Sequence, residues 1–412
     1  MLNRSAVLNI LNKRMQSSTA SGTGVYIVST ARTPVGSFRS SLADVTAPKL
    51  GSIAIKGALE KAGIDPSKVE AVYMGNVLSA GIGQAPARQA ALGAGLPVST
   101  TCTTINKVCA SGLKAVCTGA SEVALGNNAL VVCGGMESMS NAPFYVDSGM
   151  RKGIAMGNQV LSDSILTDGL WDPKYQCHMG EVTERSASKH SITRKEQDEF
   201  AIESYKRAEK AVKSGQFKNE IVPVTIASKK ATVVVDEDEE WKRIDFERMG
   251  TLRTAFRQEN GTITAANAST INDGASAVVL ASHDYVKENN LRPVAKIIAY
   301  ADAECDPVDF PTAPALAIPK VLKKAGLSLN DIDLFEINEA FSAVVIANMK
   351  LLAIPHSKVN VAGGAVSLGH PIGSSGCRIL VTLTSLLKSG QKGLAAICNG
   401  GGGATAMIIE KL

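Results

Sequence analysis

At 412 residues the chain exceeds what one hydrophobic core usually covers, so two or three lobes are expected. No apolar run reaches the ~18 residues that span a bilayer. The net charge of +5 includes Arg4, Lys13 and Arg14 near the N-terminus, which leaves the body at five less three, about +2, too little for a nucleic-acid face. Eight cysteines with no CxxC pair and no zinc-finger spacing point to free thiols in a reducing compartment.

Residues 1–22 carry those three cations and several serines but no acid and no long apolar centre, the composition of a mitochondrial transit leader; a matrix location is expected. The terminal Glu410-Lys411-Leu412 only half matches a peroxisomal Ser-Lys-Leu address. The first strong helix signal is Ala54 to Ala62, closed by Gly63, and a strand pattern follows over Val69–Met74. Next come the phrase Asn106 to Gly112 around Cys109, an amphipathic run, and an apolar strand from Ala129 to Cys133.

From about 141 to 270 the pattern changes to helix (Arg194 to Ser214), turn-rich connections and the acidic run Asp236 to Glu240, read as solvated surface. Strand character returns at Ala277–Leu280. The early pattern then recurs. Ala317 to Gly326 repeats 54–63 at an offset of 263, Ser375-Gly376 repeats Ser111-Gly112 at 264, and Cys398 repeats Cys133 at 265. Helix alternating with short apolar strand, present twice, predicts two pseudo-twofold α/β lobes with central sheets. The expected division is a leader at 1–22, a first lobe at 23–140 plus 271–291, an inserted loop domain at 141–270 and a second lobe at 292–412.

The chemistry concentrates in four short phrases. Cys109 stands before a helix, where unpaired N–H groups and the positive dipole end would lower a thiol pKa. His370 lies in the rigid turn Gly369-His370-Pro371, suited to taking a thiol proton or stabilising an oxyanion. Cys398 ends a strand and enters Asn399-Gly400-Gly401-Gly402-Gly403, whose N–H groups can form an oxyanion hole. Asn338, at a strand end, can hold a water. A buried structural cysteine is the competing reading for each thiol, and Cys133, in the matching repeat position, shows that one copy has no catalytic role if there is one site.

These phrases, in this order and across nearly all of residues 24–412, resemble the thiolase family. The resemblance implies duplicated α/β lobes in α-β-α-β-α layers with an inserted loop domain. It also implies reversible condensation of two acetyl-CoA to acetoacetyl-CoA plus CoA through an acetyl-cysteine. Cys109 would be the nucleophile, His370 its activator and Cys398 the carbon base. His370 with a water on Asn338 would form one oxyanion hole, and the N–H groups of Cys109 and Gly400 the other. By the same matching, Leu170, His178, Met179, Ala268, Ser269, Phe310 and Phe341 would contact the CoA arm or acyl group. Tyr205, Arg243 and Arg248, the last a lysine in other members, would lie near its nucleotide.

Asp309-Phe310-Pro311 resembles members that also cleave 2-methylacetoacetyl-CoA. Tyr205, Ala265, Ala266, Ala268 and Val366 match a potassium site, with a chloride nearby by analogy, and a homotetramer is implied. Two rival readings differ at specific residues. A decarboxylating condensing enzyme acting on an acyl-carrier protein would lack the second cysteine before its glycines. A non-catalytic carrier would have lost Cys109, His370 or Cys398.

Overall fold

The computed structural model describes residues 24–412 except 155 and 228–231; the leader at 1–22 lies outside the described residues. The main sheet is built from β1 (Val25–Arg32), β2 (Ala71–Gly75), β3 (Thr101–Ile105), β4 (Leu130–Ser138), β5 (Asn272–Ser282), β6 (Ala295–Glu304), β7 (Leu334–Ile337), β8 (Lys392–Asn399) and β9 (Gly403–Lys411). Their spatial order is β7-β8-β9-β6-β1-β5-β4-β2-β3. β2 runs parallel to β4, and β7 parallel to β8, so the two halves repeat one topology. The halves are also continuous: Val25–Ile27 pairs antiparallel with Ala295–Ile297, joining two expected sheets edge to edge.

The principal helices are α1 (Ala47–Ala62), α2 (Pro86–Gly93), α3 (Ser111–Ala124), α4 (Met179–Lys189), α5 (Arg194–Lys213), α6 (Pro314–Ala325), α7 (Ser342–Leu352) and α8 (Ile372–Leu386). The repeat partners α1 and α6 end alike. Gly63 and Gly326 adopt φ of 63° and 67°, a left-handed cap in which the glycine N–H satisfies carbonyls of the last turn. α1 and α2 cover the outer face of the first half-sheet, and α6 and α7 that of the second. α3 and α8 fill the layer between, in a core shared with strands of both halves. These are five layers, α-β-α-β-α. Strand β4, covered on both faces, is buried at all nine positions, as a central strand with parallel pairing should be.

The two middle helices meet at the repeated glycines. A Cβ on Gly112 would lie 2.8 Å from the Cys377 amide nitrogen, and one on Gly376 would lie 2.6 Å from that of Leu113. Side chains there would separate the N-terminal ends of α3 and α8, and with them the turns carrying Cys109 and His370.

One expectation fails here. The acidic run is not all solvated: Asp238 and Glu240 are buried. The reason is Arg32, itself buried, which donates to Glu220 at 2.6 Å and bidentately to Asp238 at 2.7 and 2.8 Å. Burial alone would pull this guanidinium down, but Asp238 and then Glu220 outweigh it and hold it above its ordinary value. Asp238 also accepts from the Val35 N–H, and Glu240 from Asn272 Nδ2. The run therefore ties residues 236–240 to β1 and β5. Asp238→Ala, which strands Arg32 in the interior, should cost about 3–5 kcal/mol, read as a lowered urea midpoint, with Asp238→Asn milder because it retains a hydrogen-bonding side chain.

Candidate active site

Cys109 is carried by a short strained turn. Val108, a β-branched residue, sits at φ 47°, in left-handed space that L side chains avoid. The turn is held by local bonds: Val108 N–H donates to Asn106 Oδ1, Lys107 N–H to Ser111 Oγ, and Ser111 Oγ to the Val108 carbonyl. Lys107 Nζ donates to Asp302 Oδ1 at 2.8 Å, which anchors the turn to β6 of the other half. Burial opposes the charge on Asp302, but bonds from Lys107, Lys114 and Thr405 outweigh it and hold this carboxyl at about 2. Val108→Gly should relieve about 1–2 kcal/mol of backbone strain yet slow acetylation about 10-fold or more by loosening the turn. Stopped-flow acetylation beside urea denaturation separates the two effects.

The expectation of a depressed Cys109 pKa is corrected. Helix α3 begins at Ser111, and burial pushes the thiol up to about 11; N–H groups of Gly400 and of Cys109 itself pull the other way without winning. Cys109 rests as a thiol and needs a base. The Gly400 N–H nonetheless faces its sulfur.

His370 follows Gly369, whose φ is 100° and where a Cβ would lie 2.5 Å from Asn272. The His370 N–H donates to Asn272 Oδ1 at 2.8 Å, fixing the backbone. Its ring Nδ1 lies 2.6 Å from Ser375 Oγ, while Nε2 has no partner among the described residues. Burial, and then the Arg378 charge, pull the imidazole down to about 3, so it is neutral at physiological pH.

Cys109, His370 and Gly400 share one cavity of about 250 Å³. Its wall includes Leu170, His178, Met179, Ala268, Ser269, Phe310 and Phe341, seven residues picked out by the resemblance. His178 caps α4, its Nδ1 accepting the Gly180 N–H at 3.0 Å, and stacks on Phe256 at 4.7 Å. Cys398 and Asn338 are buried and do not line this cavity. Cys398 packs with the wall residues Met179, Ala268, Phe310 and Phe341. Burial first, and then the neighbouring Cys109, push its thiol far up. Asn338, after β7, leaves both side-chain polar atoms without a partner among the described residues. Such buried orphans call for a water or ligand.

A second cavity, of about 610 Å³, adjoins the first through Ser269, Thr270 and Ile271. Tyr205, Arg243, Arg248, Ala265 and Ala266 line it. Val366 is absent from that wall but packs with Tyr205 and Ala266. Met139, Leu166, Gly169, Phe256, Thr270, Ile271, Ala340 and Ile372 also line the first cavity, beyond the residues the sequence singles out. Phe256 lies in a stretch without helix or strand period, where nothing local signals its contact with His178.

The result is a duplicated α/β fold in which Cys109, His370 and Gly400 line one cavity, with a second buried cysteine, Cys398, close to the first. The chain belongs to the thiolase family, a family of acyltransferases: the descriptions "Thiolase, N-terminal domain" and "Thiolase, C-terminal domain" match residues 25–284 and 291–411. It is 57% identical to the mitochondrial acetyl-CoA acetyltransferase of Bos taurus, covering 94% of this chain and 92% of that one. With the probable acetyl-CoA acetyltransferase of Dictyostelium discoideum it shares 55% identity over 100% and 99% of the two chains. The crystal structure of Acat5 thiolase from Ascaris suum in complex with coenzyme A superposes with a TM-score of 0.91 at 48% identity, covering 94% of this chain and all of that one.

Proposed function

We propose that this enzyme is an acetyl-CoA C-acetyltransferase that interconverts two acetyl-CoA with acetoacetyl-CoA plus CoA. The observation that carries the reading is the convergence on one cavity of the Cys109 sulfur, the Gly400 N–H facing it and the unpartnered Nε2 of His370, with Cys398 next to Cys109.

In the condensing direction Cys109 sulfur attacks the thioester carbonyl as its proton passes to His370 Nε2. The carbonyl oxygen becomes an oxyanion, and collapse expels CoA sulfur, which takes that proton. Cys398 first releases its resting proton to solvent, and as a thiolate it takes a methyl proton from a second acetyl-CoA. Its carbanion attacks the acetyl-cysteine carbonyl, whose oxyanion is met by the Cys109 and Gly400 N–H groups, and Cys109 departs as a thiolate that takes a proton back from solvent, matching the one Cys398 released. A sulfur whose proton affinity is raised by burial is the stronger base toward carbon. The resting protonation also fits the reverse reaction: neutral His370 activates a thiol, and protonated Cys398 hands its proton to the leaving carbanion.

CoA would run along the joined cavities, with Arg243 and Arg248 toward its phosphates. The compact inner cavity suits a short acyl group, 2-methylacetoacetyl-CoA included. Tyr205, Ala265, Ala266, Ala268 and Val366 would offer potassium hard oxygen donors, a tyrosine hydroxyl and carbonyls. Chloride would sit nearby. Residues 141–270 would act as the loop domain for CoA binding and assembly into a homotetramer, in the mitochondrial matrix.

A thiolysis assay with acetoacetyl-CoA, 2-methylacetoacetyl-CoA and 3-ketohexadecanoyl-CoA, with and without potassium, tests this. The two short substrates should turn over and potassium should raise their rates. Comparable turnover of the long substrate defeats the short-chain assignment.

A further inference from the structure

The repeated dipeptides Ser111-Gly112 and Ser375-Gly376 lie in the first turns of α3 and α8, Ser111 as the first helical residue and Ser375 as the fourth. Each serine folds back on the turn before its helix. Ser111 Oγ accepts the Lys107 N–H and donates to the Val108 carbonyl at 2.6 Å, bracing the turn that bears Cys109. Ser375 Oγ contacts His370 Nδ1 at 2.6 Å and donates to the Pro371 carbonyl at 2.9 Å. One copy of the repeat thus steadies the nucleophile and the other the imidazole.

The second contact carries chemical information that the first does not. A serine hydroxyl has one proton. When that proton lies on the Pro371 carbonyl, the oxygen can only accept from His370, so Nδ1 holds the ring proton and Nε2 the lone pair. The converse, with the hydroxyl donating to Nδ1, would place the ring proton on Nε2 and leave nothing to receive the thiol proton. Only the first arrangement persists unchanged through proton transfer: once Nε2 has taken the Cys109 proton, both ring nitrogens carry protons and Nδ1–H still needs an acceptor. The need is acute because the imidazolium forms in a buried site beside Arg378, where bulk water gives no help.

We infer that Ser375 is a positioning residue for His370: its hydroxyl, oriented by the Pro371 carbonyl, accepts the Nδ1–H and reserves the Nε2 lone pair for the Cys109 proton. The inference rests on His370 being the base, as proposed above.

The test is ¹⁵N solid-state spectroscopy of the full-length enzyme labelled at its five histidines, with His370→Gln to assign the resonance, beside the rate of acetylation by radiolabelled acetyl-CoA. The wild-type enzyme should show an unprotonated Nε2. Ser375→Ala should shift His370 to a mixed tautomer and slow acetylation on the order of 10–100-fold, with KM little changed. Ser375→Thr, which keeps the hydroxyl, should recover both.

An unprotonated Nδ1 in the wild type overturns the inference. So does a Ser375→Ala enzyme with an unaltered tautomer, whatever its rate, or a folded Ser375→Thr enzyme no faster than the alanine variant. Full acetylation by His370→Gln would instead remove the base assignment, while the tautomer spectra would still decide the part played by Ser375.

Discussion

Cys109→Ser and Cys398→Ala should fail at different half-reactions. Replacing Cys109 leaves no sulfur to hold the acetyl group, so labelling by radioactive acetyl-CoA should vanish and turnover should fall on the order of 10⁴–10⁶-fold in both directions. Serine offers an oxygen of much higher proton affinity, and the neutral His370 is too weak a base to rescue it. Cys398→Ala should still acquire label, because acylation of Cys109 needs only His370 and the oxyanion donors. What it should lose is the carbon step: condensation, thiolysis, and exchange of the acetyl methyl protons with solvent. Labelled Cys109→Ser would place the nucleophile elsewhere, and Cys398→Ala enzyme that still exchanges methyl protons would place the carbon base elsewhere.

The parts of this molecule that could be read from the chain are those whose causes are local. Gly63 and Gly326 end helices because only glycine enters left-handed space without cost, and that necessity is written at one position. The offset of 263–265 residues between repeats foretold that β2 and β4 would be matched by β7 and β8, since copied patterns fold into copied units. The glycine-flanked phrases around His370 and Cys398 were visible for the same reason: close backbone approach requires missing side chains. What stayed hidden depends on partners far away in the chain. Asp238 reads as one more surface acid until Arg32, 206 residues earlier, is placed against it. The thiol of Cys109 reads as activated when only the helix ahead of it is considered. Enclosure by residues from both halves reverses the sign, because removing the thiolate from water costs more than two N–H groups return. The pairing of Val25–Ile27 with Ala295–Ile297 has no sequence signature, since either edge alone could have faced solvent.

His370→Ala should slow acetylation of Cys109 about 10²–10⁴-fold, and the pH dependence of the intact enzyme should show why. The imidazole is held down to about 3 and the Cys109 thiol up to about 11. Neither group changes protonation in the free enzyme between about pH 5 and 9, so neither should put a unit-slope limb on kcat/KM for acetyl transfer there; ionisation of buried Glu137 at about 7, whose charge raises the Cys109 thiol, should leave only a shallow step. Loss of the base should change this shape: without His370 the reaction depends on the rare Cys109 thiolate, and log kcat/KM should rise with unit slope toward alkaline pH. An ionised Cys109–His370 pair at rest would instead give a wild-type acid limb near neutrality, and that profile would contradict the neutral pair. Stability carries the opposite signature. An unfolded histidine binds a proton below about 6.5 whereas folded His370 does not until about 3. At this residue the unfolded state therefore holds more protons in that window, so the contribution of His370 to stability falls as pH drops from 6.5 toward 3. His370→Ala removes that term. The variant should lose less urea stability than the wild type between pH 6.5 and 5, while being far slower at every pH in the range. Steeper acid destabilisation in the variant would mean that the buried imidazole is already charged.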